Sequence, residues 1–244
     1  MTILRKFEFY LRITAAGLWM LFSSFLVILA LPFYWKNPNL DHIFARILAW
    51  GAMPALGLRV RIENQSRLYV NQPCIYVANH QSNWDLFTYS GAYPSKTLVI
   101  GKHQLIWVPF FGIFFYGAGN IMINRKNRVQ AVAGLDVAMD ALKKKGLSIW
   151  IFPEGTRNKG PQSMLPFKKG AFHMAISAQV PVIPLVHPPV STIFDYVGKR
   201  IHKGNVRVQV LEPIRTEGMT LDNLPALTQM VWERMDQALK NQKV

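Results

Sequence analysis

His80 and Asp85 are the residues whose types and spacing best suit chemistry. They stand in Asn79-His80-Gln81-Ser82-Asn83-Trp84-Asp85, directly after the apolar run Cys74-Ile75-Tyr76-Val77-Ala78. A histidine within hydrogen-bond reach of a carboxylate keeps one ring nitrogen protonated and leaves the other free as a general base. On a continuous helix a five-residue step turns about 500°, some 140° around the axis, so the two side chains would diverge. With His80 in a loop and Asp85 in the first turn of a following helix they converge, and Leu86 to Tyr93 is read as that helix, capped by Ser82 or Asn83. No G-x-S-x-G elbow supplies a nucleophile, and Ser82 is better placed as a cap. The simplest use of His80 is therefore to deprotonate a hydroxyl of the substrate itself. A lone His-x4-Asp also fits a capped turn with a satisfied histidine, so the assignment needs further residues.

Those residues are found at Phe152-Pro153-Glu154-Gly155-Thr156-Arg157, at the end of the apolar run Ser148 to Phe152. Ligands collect beyond the carboxyl ends of strands in open α/β sheets. Glu154 and Arg157 around Gly155 are expected to form an anion-binding fork beside exposed backbone N–H groups, suited to a phosphate or a developing oxyanion; a surface turn with an ion pair would read the same. A third cluster, Gly119 to Arg128, is a strand ending in Arg125, Lys126 and Arg128, which makes a phosphate site or a solvated edge. Lys102 ends the run Thr97 to Gly101 and is expected on the same rim. In Val180-Pro181-Val182-Ile183-Pro184 the prolines bracket a short buried strand and read as structural.

No metal site is expected. There is no H-E-x-x-H, and His42, His103, His173, His187 and His202 are scattered without ligand spacing. Neither a G-x-x-x-x-G-K-[ST] loop nor a G-x-G-x-x-G fingerprint is present, so no cofactor is expected.

The elements that must position these residues are short β-rich runs separated by helical stretches: residues 59–63, 74–78, 97–101, 121–124, 148–152, 181–187 and 206–211. Several are nearly continuously apolar, as strands covered on both faces are, and amphipathic stretches at 129–145 and 222–240 supply covering helices. The expected fold class is α/β, with a mixed, largely parallel central sheet flanked by helices. The Pro/Gly-rich stretch 155–170 is a loop between motifs. There is no internal repeat, and residues 59–244 are read as one catalytic domain.

Residues 1–58 differ in kind. Positions 13 to 35 run 23 residues without a charge, between Arg5, Lys6 and Arg12 on one side and Lys36 on the other. About 20 apolar helical residues cross a ~30 Å hydrocarbon core, so the run is long enough to span. Pro32 interrupts it, however, and a second segment, 41–58, carries an apolar face of Ile43, Phe44, Ile47, Leu48 and Trp50. Basic residues at both ends leave the positive-inside bias weak. The preferred reading is a helical hairpin dipping into one leaflet, with Asp41, His42 and Arg46 facing headgroups; a true span and soluble core helices are the alternatives.

The composition bounds the rest. With 50% apolar residues the chain is not disordered, and its one cysteine, Cys74, excludes intrachain disulfides and Cys-based zinc sites. The charge of +15, from 28 basic and 13 acidic residues spread over both halves, attracts nucleic acid, anionic lipid or anionic small molecules.

Taken in order, the Asn79–Asp85 block, the basic strand end at Arg125, the Phe152–Arg157 block and the Val180–Pro184 block resemble the four blocks of the glycerolipid acyltransferases, most closely the bacterial enzymes that acylate lysophosphatidic acid. Gly101-Lys102 and Leu165 to Gly170 also look like that family, and four ordered blocks disfavour a non-enzymatic membrane protein that binds anionic lipid or nucleic acid. The resemblance implies His80 as general base and Asp85 as its orienting partner, acting on the sn-2 hydroxyl of lysophosphatidic acid. It implies acyl-CoA or acyl carrier protein as donor and phosphatidic acid, for phospholipid synthesis, as product. It further implies that Lys102, Arg125 and Arg157 hold the acceptor's phosphate while Glu154 and Gly155 shape its site, with backbone N–H groups nearby stabilising the oxyanion. The expected location is the cytoplasmic face of the bacterial inner membrane. Glycerol 3-phosphate or another lysolipid is the alternative acceptor.

Overall fold

The computed structural model describes residues 2–124, 127–158, 160, 162–190 and 193–242. In chain order the elements are α1 (Thr2–Ile28), α2 (Asn39–Leu56), β1 (Leu58–Glu63), α3 (Arg67–Val70), β2 (Ile75–Ala78), α4 (Asp85–Thr88) and β3 (Thr97–Lys102). There follow α5 (Phe111–Gly117), β4 (Ile121–Ile123), α6 (Arg128–Lys144), β5 (Ser148–Ile151), α7 (Gly170–Ala178), β6 (Val182–Val186), β7 (Phe194–Asp195), β8 (Arg200–Ile201), β9 (Gly204–Val210) and α8 (Leu224–Asn241). Seven strands form one sheet in the order β1-β9-β6-β2-β5-β3-β4. Neighbours pair in parallel except β6 and β9, so the sheet is mixed and largely parallel, as expected.

The strands alternate between two layers of core because successive side chains point to opposite faces. Ile75, Val77, Ile149 and Val182 join the core beneath α6, α7 and α8. Tyr76, Ala78, Trp150, Ile183 and Leu185 point to the other face, toward Ala45 of α2 and Tyr89 and Tyr93 after α4. Both faces are covered, which is why β2 and β6 are buried throughout and read as unbroken apolar runs. The carboxyl ends of β2, β5 and β3 therefore lie on one side of the sheet, where the loops after β2 and β5 carry His80 and Glu154 and β3 ends at Lys102.

Two boundaries differ from the sequence reading. The expected helix at 86–93 is one α-helical turn, Asp85–Thr88, followed by a 3-10 turn, Ser90–Ala92. Ser82 accepts the N–H of Trp84 at 3.0 Å, but no side chain caps the helix, because Asp85 itself gathers the preceding N–H groups. The β7–β8 pair, too short to show a period, was absent from the expected strands.

α1 and α2 form the expected hairpin, with the Trp19 indole donating to the Ile47 carbonyl at 2.9 Å. α2 ends at Gly57, whose left-handed φ of 71° and N–H to Met53 and Pro54 carbonyls close the helix. Its apolar face is divided: Phe44 and Leu48 are buried with Phe111 and Phe114 of α5, whereas Ile43 and Trp50 stand exposed. Asp41, expected at headgroups, is buried and accepts from Asn120 Nδ2 at 2.8 Å. His42 is half-buried, 2.8 Å from the Tyr93 carbonyl, and Arg46 alone of the three is exposed. α1 is different. Among the described residues it is the one helix long and apolar enough to cross a membrane, and only 22% of its apolar stretch is buried. Phe9, Ala16, Val27 and, just beyond the helix, Leu31 face the protein, whereas Leu4, Phe7, Leu11, Leu18, Phe22 and Phe25 stand exposed at helical spacing. A helix apolar on both sides suits a lipid surface better than water.

Candidate active site

His80 follows β2 and its ring lies face to face with Phe152, 4.3 Å between centroids. Nδ1 is 2.7 Å from Asp85 Oδ2. A carboxylate only accepts, so Nδ1 carries the proton and Nε2 is left with its lone pair, the form a general base needs. Asp85 is 1% exposed and also accepts the backbone N–H of Gln81 at 2.7 Å and of Ser82 at 3.1 Å. Burial would push its carboxyl up, but hydrogen bonds from His187 and His80 outweigh this and hold it below the usual range. Asp85 therefore stays ionised beside the imidazole.

His187, at the end of β6, is the residue the sequence reading missed. It is fully buried, its Nδ1 2.8 Å from the Pro188 carbonyl and its Nε2 3.1 Å from Thr88 Oγ1 and 3.3 Å from Asp85 Oδ1. Asn79 locks it in place: its side-chain amide donates to the His187 carbonyl at 3.0 Å and its Oδ1 accepts the His187 N–H at 3.0 Å and the Tyr89 hydroxyl at 2.6 Å. The signal was the pairing of β2 with β6, which sets Asn79 beside His187 despite more than a hundred intervening residues.

The Phe152–Arg157 block is stitched to this loop. Glu154, 3% exposed, accepts the His80 N–H at 2.6 Å and the Leu165 N–H at 2.9 Å, and the Asn158 N–H returns to the His80 carbonyl at 2.8 Å. The expected Glu–Arg fork is thus corrected: the Glu154 carboxylate faces inward as a brace, and burial raises its pKa. Gly155 makes the turn at φ +72° and its N–H goes to Phe152. Arg157 reaches out to Asn83 Oδ1. The N–H groups at 80, 81, 82, 84, 155 and 158 all have acceptors in these loops, so the backbone oxyanion donors expected from sequence are not among them. Arg125 lies outside the described residues.

A cavity of about 390 Å³ connects these groups. His80, Asn83, Lys102 and Arg157 line it, as do Phe44, Leu48, Val99, Phe111, Phe114 and Trp150. Strand register sets its depth. Val99 pairs with Trp150, which pairs with Tyr76, so these side chains lie four residues before His80 along β2, roughly 13 Å below it at strand rise. Cations and an imidazole at the mouth above apolar walls suit a charged headgroup outside and a hydrocarbon chain within. Cys74 takes no part as a nucleophile, since burial pushes its thiol up to about 12.

The fold is thus an α/β sheet that sets a His–Asp pair over an apolar cavity, the frame of an acyltransferase. The chain belongs to the Acyltransferase family, whose model matches residues 59–187. It is 38% identical over 204 residues to the 1-acyl-sn-glycerol-3-phosphate acyltransferase of Haemophilus influenzae, covering 84% of this chain and 83% of that protein. The Escherichia coli K12 protein of the same name is 40% identical over 184 residues, 73% and 71% of the two chains. The human 1-acyl-sn-glycerol-3-phosphate acyltransferase alpha is 33% identical over 230 residues, 93% and 80%. The crystal structure of the 1-acyl-sn-glycerophosphate acyltransferase of Thermotoga maritima has the same fold, with a TM-score of 0.75 at 22% identity over 98% of this chain and 95% of that one.

Proposed function

We propose that this acyltransferase transfers an acyl chain from a thioester, acyl-CoA or acyl carrier protein, to the sn-2 hydroxyl of 1-acylglycerol 3-phosphate, forming phosphatidic acid. The observation that carries the reading is the free Nε2 of His80, held by Asp85 at one end of an apolar cavity whose mouth is cationic. The names of the curated relatives supply the acceptor. His80 Nε2 takes the proton from the hydroxyl as its oxygen bonds to the thioester carbonyl carbon. The tetrahedral intermediate expels the thiolate, and the imidazolium returns the proton to sulfur. No covalent enzyme intermediate is required. General base catalysis contributes roughly 10²–10⁴-fold, and Asp85 stabilises the imidazolium as it forms.

Arg157 and Lys102 receive the acceptor's phosphate by charge-assisted hydrogen bonds, with Arg125 as a third cation in this reading. Glu154 and Gly155 act indirectly, by fixing the His80 backbone. Residues 1–58 serve as the membrane-associated segment and 59–244 as the catalytic domain, acting at the cytoplasmic face of the inner membrane, where the acceptor's chain passes from the bilayer to the cavity and the thioester arrives from the cytoplasm.

The test is thiol release from palmitoyl-CoA by detergent-solubilised protein, with and without lysophosphatidic acid, following the lipid product by mass. Acceptor-dependent release with phosphatidic acid formed, and lost in His80→Ala, is expected. Release independent of the acceptor, or retained in folded His80→Ala, overturns the mechanism.

A further inference from the structure

A second cavity, of about 280 Å³, lies away from the reaction site between the first turns of α1 and the β7–β8 hairpin. Arg5, Glu8, Phe9, Arg200, Ile201 and His202 line it. The Glu8 carboxylate is matched by Arg12 at 2.7 Å, so it does not neutralise the others. Arg5 and Arg200 have no ion-pair partner among the described residues. Asp195, paired across the hairpin with Arg200, is engaged by the Gly198 N–H at 2.7 Å. Lys199 adds a further cation over the Phe9 and Tyr10 rings, 5.7 and 5.9 Å from their centroids.

Beside these charges the hairpin presents an apolar tip. Val197 is 96% exposed and Tyr196 51%. Tyr196 packs edge-on against the buried Phe9, which seats the hairpin on α1, and Lys199 reaches over to Tyr10 on the helix's exposed side. An apolar tip flanked by unpaired cations, continuous with an apolar helix face, matches the two layers of a bilayer surface: hydrocarbon edge and phosphate plane.

Building on the membrane reading above, we infer that the β7–β8 hairpin and the first turns of α1 form a docking site for anionic phospholipid headgroups, distinct from the acceptor's phosphate site. Val197 enters the interface, and Arg5, Lys199 and Arg200 hold the phosphates. The hairpin also touches the catalytic loop from its other side. Phe194 stacks on Trp84 at 4.1 Å and 3°, and the Trp84 indole donates to the Tyr196 hydroxyl at 2.5 Å. Trp84 immediately precedes Asp85, so a seated hairpin steadies the loop that holds the His80–Asp85 pair.

The experiment is flotation of the detergent-free full chain with vesicles of phosphatidylcholine alone or phosphatidylcholine with phosphatidylglycerol, at low and high salt, alongside acyl transfer on the same vesicles and in neutral detergent micelles. Wild type should bind the anionic vesicles more tightly and turn over faster on them, with both advantages fading at high salt. Each cation near such a surface contributes about 1 kcal/mol, roughly fivefold, so Lys199→Glu with Arg200→Glu should cost at least 25-fold in the anionic advantage while micellar activity stays unchanged. Arg5→Glu, which leaves the hairpin intact, should cost at least fivefold, and it decides the matter if the double variant also slows the micellar reaction. An anionic advantage that is absent in wild type, or undiminished in both variants, overturns the inference. Flotation needs no turnover, so its outcome stands apart from that of the proposed reaction.

Discussion

His187 Nε2 lies 3.3 Å from Asp85 Oδ1, on the opposite side of the carboxylate from His80 Nδ1, which lies 2.7 Å from Oδ2. The acid that orients the base is itself held by a second, fully buried imidazole, and that imidazole is anchored by Asn79. The arrangement fixes the His80 ring with little freedom, which is what a base acting on a bound hydroxyl requires.

Removing the base is the first consequence. His80→Ala should lower kcat by at least 10²–10⁴-fold, because no other side chain at the loop is placed to take the proton. Asp85→Asn should also be severe: an amide offers the His80 ring a neutral acceptor in place of a charge. Steady-state kinetics on protein with an unchanged melting profile checks both, and near-native kcat in either would refute the assigned roles.

His187 should act through Asp85 and not on substrate. A hydrogen bond to a charged group contributes about 1.5–3 kcal/mol, so His187→Ala should reduce kcat roughly 10–150-fold with KM for both substrates little altered. His187→Gln, which keeps a donor in the same space, should restore part of the loss. Equal damage in the two variants, or an effect confined to KM, would show that His187 only fills the core.

This residue marks the boundary of what the sequence disclosed. The sheet was legible because β2 and β6 are buried on both faces and therefore apolar without interruption, and β5 is nearly so after Ser148. His80 and Asp85 were legible because they lie in one loop. His187 carries no local sign of its role, since its partner is brought near only by strand pairing across the sheet. Glu154 misled for a related reason: beside Gly155 and Arg157 it reads as part of an anion site, yet the fold turns it toward the backbone N–H groups of His80 and Leu165. The face of α2 was legible only in part, because an apolar stripe looks the same at Phe44 and Leu48, which the rings of α5 cover, as at Ile43 and Trp50, which stay exposed.

Arg157 is exposed enough to meet a headgroup and already contacts Asn83 beside the catalytic loop. Arg157→Ala should raise KM for the phosphate-bearing acceptor about tenfold, in line with one lost charge-assisted hydrogen bond, while KM for the thioester changes little. Stability should hardly change, as the side chain fills no core. Comparable increases for the two substrates would argue against phosphate binding at this position.

Asp41 yields a prediction about pH. Burial raises its carboxyl to about 8, against a hydrogen bond from Asn120 that lowers it, and its Oδ2 has no hydrogen-bond partner among the described residues. Below about pH 4 the folded and unfolded chains both hold this proton. Between about 4 and about 8 the unfolded chain releases it while the folded chain retains it, so this group makes the fold progressively less stable as pH rises, and the penalty is complete above about 8. Asp41→Asn keeps an acceptor for Asn120 and removes the titration. The variant should melt close to wild type near pH 4 and above it at pH 8, by an amount on the order of a few kcal/mol. Thermal unfolding of the two proteins in one detergent across this range measures the gap, and a gap that stayed constant or narrowed with rising pH would show that Asp41 is ionised in the folded protein.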